Sequence, residues 1–212
     1  MNRMPLYANY FLNEPAYIIG TGPSLDDFDM GSIPDNAVII AIHRSIEKVK
    51  VNPGRTFWLV IDDIWENGTP GDWKKWLSET NNPWGITGLF RKLLLTGKGY
   101  RIAPKSKNIV PFMTPSGFQP QILNETRDDI ASYEELYAFC GTLAPAIHFA
   151  WFCGCEQIHL VGIDGGGGHA QSLGDVYDDS ENQTHYHKAK LDGLMAATEL
   201  NVEIVDHGGN NV

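Results

Sequence analysis

Short apolar runs, most of them closed by a glycine or an aspartate, constrain the fold of this chain most strongly. They are rich in Ile and Val, too short for helices and bounded by turn residues, so they predict buried strands. The runs cover residues 16–19, 37–42, 56–61, 157–163 and 202–205. Two weaker candidates cover residues 100–103 and 108–110.

Apolar residues at helical spacing separate several of these runs. Residues 143–151 follow an i, i+3, i+4 pattern that predicts a helix, with Gly154 as its C-terminal stop. Residues 191–198 repeat the pattern before the last strand. This alternation predicts a Rossmann-like α/β fold, a mostly parallel sheet with helices on both faces. Ligands of such sheets bind beyond the carboxyl ends of the strands.

Length and composition narrow the class of protein. The 212 residues fit one domain, residues 1–212, in which the Gly-, Pro- and Trp-rich segment 67–120 has poor periodicity and predicts an irregular insertion or cap. The net charge of −10 opposes non-specific nucleic-acid binding. Three cysteines without a disulfide framework, and an N-terminus without a long apolar run, predict a cytoplasmic protein with no transmembrane segment.

A glycine-rich turn follows the first strand. Its glycines would let the backbone approach a ligand closely and adopt positive φ, and the amides of the next segment would face an anion. A tight strand-to-helix turn without a ligand has the same pattern. The turn consists of Gly20, Thr21, Gly22, Pro23 and Ser24.

Two other segments carry candidate ligand-binding groups. Gly141 and Thr142 open the first predicted helix, where free amides bind phosphate or Thr142 simply caps the helix. Asp164 ends the fourth strand and enters the tetraglycine 165–168. Its carboxylate could bind a ribose hydroxyl, a metal or a substrate hydroxyl, and it could equally cap the loop.

Two histidines, His185 and His187, precede the last predicted helix. Histidine is the usual general base for a hydroxyl group, because its pKa lies near neutrality. Their i, i+2 spacing also allows metal ligation, which is the second interpretation. A surface turn with chance histidines is the third.

These segments, in this order, resemble a known superfamily. Residues 22–25 (Gly-Pro-Ser-Leu), 162–164 (Gly-Ile-Asp) and 185–187 (His-Tyr-His) are similar to segments of the bacterial sialyltransferases of glycosyltransferase family 42. They are also similar to the domain-of-unknown-function 115 proteins, which include the archaeal hydroxymethylpterin diphosphokinases. The resemblance covers residues 16–63 and 138–206, and it omits the middle of the chain.

The resemblance implies a nucleotide site and a general base. His187, with His185 as the alternate, matches the base that takes a proton from the acceptor hydroxyl. The sialyltransferases have Asn before Gly-Pro-Ser-Leu and another Asn after the second strand, where this chain has Thr21 and, approximately, His43 and Arg44. The implied nucleotide-binding residues are Gly20, Thr21, Gly22, Pro23, Ser24, His43, Arg44, Gly141, Thr142 and Asp164.

The first hypothesis for function is therefore a glycosyltransferase that requires no cofactor. It would move a sugar from a nucleotide-sugar donor to a hydroxyl acceptor, with the turn amides and Arg44 on the departing phosphate. The second hypothesis is a Mg²⁺-dependent, diphosphokinase-like phosphoryl transfer, with Asp62, Asp63 and Asp164 as carboxylate ligands. The third is a non-catalytic nucleotide-binding protein of the same fold. Each is compatible with a homo-oligomer.

Overall fold

The computed structural model describes residues 4–60, 86–91, 109–112, 136, 141–173 and 183–208. Within them, seven strands form one sheet in the order β5-β4-β3-β2-β1-β6-β7, and every neighbouring pair is parallel. This confirms the predicted Rossmann-like α/β fold. The strands are β1 (Ala16–Ile19), β2 (Val38–Ile42), β3 (Thr56–Val60), β4 (Ile86–Arg91), β5 (Ile109–Phe112), β6 (Gln157–Val161) and β7 (Glu203–Asp206).

The strand order reverses between β1 and β6. From β1 the chain builds outward through β2 to β5 on one side, and it then crosses over to place β6 and β7 on the other. Ile19 pairs with Val161, so both strands end at the same level. The loops that follow them pack against each other, with hydrogen bonds of 2.7 Å from the Gly20 amide to the Val161 carbonyl and of 2.8 Å from the Gly22 amide to the Gly162 carbonyl. They lie at the carboxyl edge of the sheet, which is where ligands of such folds bind.

In the part of the chain that the structure describes, two α-helices cover one face of the sheet. Helix α1 (Leu143–Phe152) is buried along its whole length, as expected for a helix that is apolar on all sides. Helix α2 (Gln183–Glu199) packs against α1, and its Ala196 and Ala197 join the same core. Gly154 follows α1 with φ +95°, as the predicted C-terminal stop requires.

Short 3₁₀ helices cover the other face. Turns at Pro23–Leu25 and Gln171–Leu173 contribute Leu25 and Leu173 to a second core cluster with Tyr17 and Ile39. Among the residues with described positions, both α-helices therefore lie on one face of the sheet. On this second face, the described residues contribute single 3₁₀ turns.

The structure corrects the sequence analysis at two points. The segments that form β4 and β5 fall within residues 67–120, and they are regular strands of the sheet and not irregular structure. Strand β5 confirms the weaker candidate 108–110, whereas β4 was not predicted. Gly88 and Pro111 interrupt their apolar patterns, and proline is tolerated at β5 because β5 is an edge strand. The remainder of 67–120 and the weak candidate 100–103 lie outside the described residues, so the cap stays a prediction.

The second correction concerns α2. It begins at Gln183, so His185 and His187 lie within its first turns and do not precede it. Residues 184–188 are polar or aromatic and carry no apolar periodicity, which hid the start of the helix. Neither this helix nor any other in the described part of the chain has the length and apolar character needed to cross a membrane.

Candidate functional site

A cleft of about 150 Å³, open to solvent, lies at the reversal between β1 and β6. One side, here called the turn wall, consists of residues 20–22 after β1 and residues 162–166 after β6. The other side, here called the helix wall, consists of residues 141–143 at the start of α1 and residues 185–190 of α2, of which His187 and Lys188 do not line the cleft. The fold and the cleft thus bring together most of the residues singled out in the sequence.

Gly20 and Gly22 serve the packing of the turn wall. A Cβ on Gly20 would overlap with the Gly162 carbonyl oxygen, and one on Gly22 would overlap with Asp164 Oδ2. Gly22 has φ −69°, and neither glycine has positive φ, so that expectation is wrong for both. On the turn wall, positive φ values occur instead after β6, at Gly162 and in the tetraglycine 165–168.

Asp164 lies inside the turn wall as an anion. Its Oδ2 accepts a hydrogen bond of 3.0 Å from the Ser24 amide, at the start of the 3₁₀ turn Pro23–Leu25. The chain's own carboxylate thus occupies the position that the sequence suggested for a phosphate. Pro23 and Ser24 do not line the cleft.

Thr21 joins the turn wall to the loop beyond the tetraglycine. Its Oγ1 lies 2.9 Å from His169 Nδ1, and its carbonyl accepts a 2.7 Å hydrogen bond from the Ala170 amide. Both contacts are local to the cleft, because Thr21 and His169 line it. In the sequence, His169 is a candidate only as a further metal ligand beside His185 and His187.

His43 and Thr142 meet between the sheet and the helix wall. His43 Nε2 lies 2.9 Å from Thr142 Oγ1, and the His43 carbonyl accepts a 2.7 Å hydrogen bond from Trp58 Nε1. Thr142 occupies the N-cap of α1, yet its side chain makes no capping hydrogen bond. Pro145 has no N–H and the Ala146 amide donates to the Thr142 carbonyl at 3.3 Å, so the amides of Leu143 and Ala144 are the donors that this first turn can offer to a ligand.

Arg44 lies away from the cleft. Its guanidinium donates to Glu47 Oε1 at 3.0 Å and to the Leu173 carbonyl at 2.7 Å. These bonds join the segment after β2 to the second face of the sheet. Arg44 is not among the residues that line the cleft.

The two histidines of α2 differ in position. His185 and Tyr186 line the cleft and His187 does not, although both histidines are exposed. A helix places residues two apart on different faces, so one histidine at most could face the cleft. The structure brings His185 to the site and leaves His187 outside it.

Lys190 is a cleft residue that sequence reasoning missed. It is buried, its Nζ lies 2.7 Å from Asp206 Oδ2, and its Cδ would lie 3.1 Å from a Cβ on Gly165. A lysine in an amphipathic helix usually faces solvent, so the residue type gave no signal. Its spacing of three and seven residues from the buried Gly193 and Ala197 was the available signal.

Only one of the three carboxylates proposed for Mg²⁺, that of Asp164, lies among the described residues. Asp62 and Asp63 lie outside the described residues, and Asp164 is engaged by Ser24. Within the described ranges, no group of three or more His, Cys, Asp or Glu side chains is arranged to hold a metal ion. The second hypothesis therefore stays a prediction.

Comparison with known proteins gives a fold relationship. No family model and no curated protein sequence matches the chain. Among solved structures, the sialyltransferase CST-II with a trisaccharide acceptor and CMP has 11% identity and a TM-score of 0.52, over 94% of this chain and 83% of that one. The sialyltransferase CstII from Campylobacter jejuni with the substrate analogue CMP-3FNeuAc has 11% identity and a TM-score of 0.53, over the same shares.

A further structure, CstII from Campylobacter jejuni with cytidine-5'-monophosphate, has 11% identity and a TM-score of 0.54, over 95% of this chain and 82% of that one. At this identity the likeness establishes a sialyltransferase-like fold. It gives no support to the diphosphokinase side of the resemblance. The reaction of this chain does not follow from the fold alone.

Proposed function

We propose that this chain is a glycosyltransferase that moves a sugar from a nucleotide-sugar donor to a hydroxyl acceptor in the cleft between the turn wall and the helix wall. The observation that carries the proposal is the joint placement, at the reversal of strand order, of a helix N-terminus and a histidine. The similarity to structures of sialyltransferases with CMP supports the same assignment.

The donor would lie along the floor of the cleft. The sequence-derived nucleotide residues that line it are Gly20, Thr21, Gly22, His43, Gly141, Thr142 and Asp164. The leaving phosphate is best assigned to the helix wall, because the first amides of α1 carry partial positive charge. The turn wall suits uncharged parts of the donor, since Asp164 already accepts from the Ser24 amide and would repel a phosphate there.

The acceptor would be activated by His185. Its imidazole takes the proton of the acceptor hydroxyl, and the hydroxyl oxygen forms a bond to the anomeric carbon of the donor sugar. The bond between that carbon and the phosphate oxygen breaks at the same time, and its electron pair leaves with the phosphate. The α1 amides stabilise the charge that develops on this leaving group. We propose that no metal is required.

Paired histidine variants test the proposal. His185→Ala should lower turnover of the donor by about a hundredfold, because it removes the base, while nucleotide binding stays nearly unchanged. His187→Ala, on the same helix but outside the cleft, is the matched control and should stay within threefold of the wild type. Full activity in His185→Ala would contradict the assignment of the base.

A ligand screen by thermal unfolding identifies the donor class. CMP, UDP, GDP, ADP and ATP are each added with and without Mg²⁺. A nucleotide at about 100 times its dissociation constant stabilises a protein by about 2.7 kcal/mol, which is a measurable shift for this size. We expect one nucleotide to stabilise the chain without metal. Stabilisation only with Mg²⁺ would favour phosphoryl transfer, and binding without turnover of any donor would favour the non-catalytic protein.

A further inference from the structure

Lys190 is the one lysine or arginine that the described residues contribute to the lining of the cleft. Its side chain is 8% exposed, and its stem lies beneath Gly165 of the tetraglycine. Gly165 has φ +74° and no side chain, so the loop can pack directly on this stem. The ammonium is thus held in place by α2 on one side and by the glycine loop on the other.

The partner of Lys190 engages only part of its ammonium group. A lysine ammonium has three N–H donors. Asp206 Oδ2, at 2.7 Å, accepts from one of them, and no other acceptor for this group lies among the described residues. Asp206 itself is 33% exposed at the end of β7. Within the described part of the chain, the other donors of the ammonium are therefore available to an incoming acceptor.

A purely structural role explains this arrangement poorly. Burying a charge costs free energy, and a buried ion pair is on balance no more stabilising than well-packed apolar side chains. Here Lys190 lines the cleft and Asp206 does not, and the other cation predicted for the site, Arg44, is bound to Glu47 and Leu173 elsewhere. A ligand with negative charge would find its positive counterpart at Lys190.

We propose that Lys190 binds an oxyanion of the ligand, in competition with Asp206. The oxyanion is a phosphate group of the donor or the carboxylate of an acidic sugar, because both present the same acceptor oxygens to an ammonium. Asp206 holds the Lys190 ammonium and yields part of the contact when the ligand enters. The proposal rests on the proposed function only for the identity of the ligand, since any oxyanion small enough for the cleft meets the same group.

Calorimetric titration with two small probes tests this directly. Inorganic pyrophosphate represents the phosphate source, and free N-acetylneuraminic acid represents the sugar carboxylate. Lys190→Met keeps the length of the stem and should weaken binding of the recognised probe at least tenfold, because a charged hydrogen bond is lost. Lys188→Met, which removes an exposed lysine of the same helix, is the control and should bind within twofold of the wild type.

The competing aspartate supplies a prediction of opposite sign. Asp206→Asn removes the internal anion and should tighten binding of the same probe about threefold, which loss of a merely structural ion pair would not do. The double variant Lys190→Met/Asp206→Asn should regain thermal stability relative to Lys190→Met, because no carboxylate is left unpaired, and should still bind weakly. This variant separates a loss of the binding group from a loss of folding.

The outcomes separate this inference from the proposed function. Lys190-dependent binding of either probe, without turnover of any nucleotide-sugar, would sustain the inference and remove the proposed function. Donor turnover that continues in Lys190→Met with an unchanged KM would overturn the inference and leave the proposed function intact. Wild-type protein that binds neither probe, or binds them as tightly after Lys190→Met, would also overturn it.

Discussion

The two walls of the cleft differ in how far their polar groups are satisfied within the protein. On the turn wall, the Ser24 amide donates to Asp164, and Gly20 and Gly22 are in close contact with Gly162. On the helix wall, Thr142 leaves the first turn of α1 uncapped, and Lys190 retains donors beyond its contact with Asp206. The turn wall acts as a joint between β1 and β6, and the helix wall offers the groups that a ligand can bind.

The difference between the walls shows that a segment can be easy to recognise in the sequence without being the part that binds the ligand. The glycine-rich turn is the most recognisable segment of the sequence, yet its glycines are required by the packing of one loop on another. Lys190 belongs to no motif and faces the ligand site. A phosphate-binding turn and a tightly packed turn select the same residues, since both need close backbone approach.

The largest expected effect follows from breaking the joint. Gly22→Val would place side-chain atoms on Asp164 Oδ2 and within 2.8 Å of the Gly162 oxygen, so we expect a loss of about 3 kcal/mol in the free energy of unfolding. Urea denaturation measures this loss. If the variant were as stable as the wild type, the turn wall would have room for a ligand and the comparison would fail.

A double-variant cycle identifies the contact responsible. Gly22→Ala and Asp164→Ala are combined, because Asp164→Ala removes the atom that the new Cβ would meet first. The double variant should lose less stability than the sum of the two single losses, with a coupling free energy of about 1 kcal/mol. Strictly additive losses would show that the carboxylate does not pack against Gly22.

Acid should weaken the core under the helix wall. Burial lowers the pKa of His148, within α1, to about 4, whereas the unfolded chain takes up this proton near pH 6.5. The contribution to stability is therefore complete above pH 6.5 and is lost as the pH falls toward 4. Between pH 7 and pH 5 the loss is about 2 kcal/mol. Urea denaturation at both pH values measures it.

The control for this prediction is His148→Phe. Burial and the neighbouring His207 also lower the pKa of His159, on the opposite face of the sheet, so some acid sensitivity remains in any variant. The difference in pH dependence between the wild type and His148→Phe gives the contribution of His148 alone. Equal losses in the two proteins would mean that His148 is not buried in its neutral form.

The sequence was sufficient to predict much of the sheet and only part of the site. The strands β1, β2, β3, β6 and β7 are continuous apolar runs and were predicted directly. Gly88 and Pro111 obscured β4 and β5, whose place in the sheet depends on pairing with distant residues. His185 could not be separated from His187 until the start of α2 was known, and the contact between Lys190 and Asp206 joins elements that no local pattern relates.

The smallest effect is expected at Arg44. Arg44→Met should cost about 1 kcal/mol of stability, because the contacts with Glu47 and the Leu173 carbonyl are partly exposed, and should change the dissociation constant for the nucleotide by less than twofold. Thermal unfolding measures the change in stability, and titration with the nucleotide found in the ligand screen measures the dissociation constant. If Arg44→Met weakened nucleotide binding tenfold, Arg44 would contact the phosphate, as predicted from the sequence.

A crystal structure of the chain with its bound nucleotide tests the comparison of the two walls most directly. We expect the phosphate within hydrogen-bonding distance of Lys190 Nζ or of the first amides of α1, with the hydrogen bond from Ser24 to Asp164 preserved. A phosphate on the Ser24 amide, with Asp164 displaced from it, would contradict the assignment of the turn wall as a joint and of the helix wall as the binding surface.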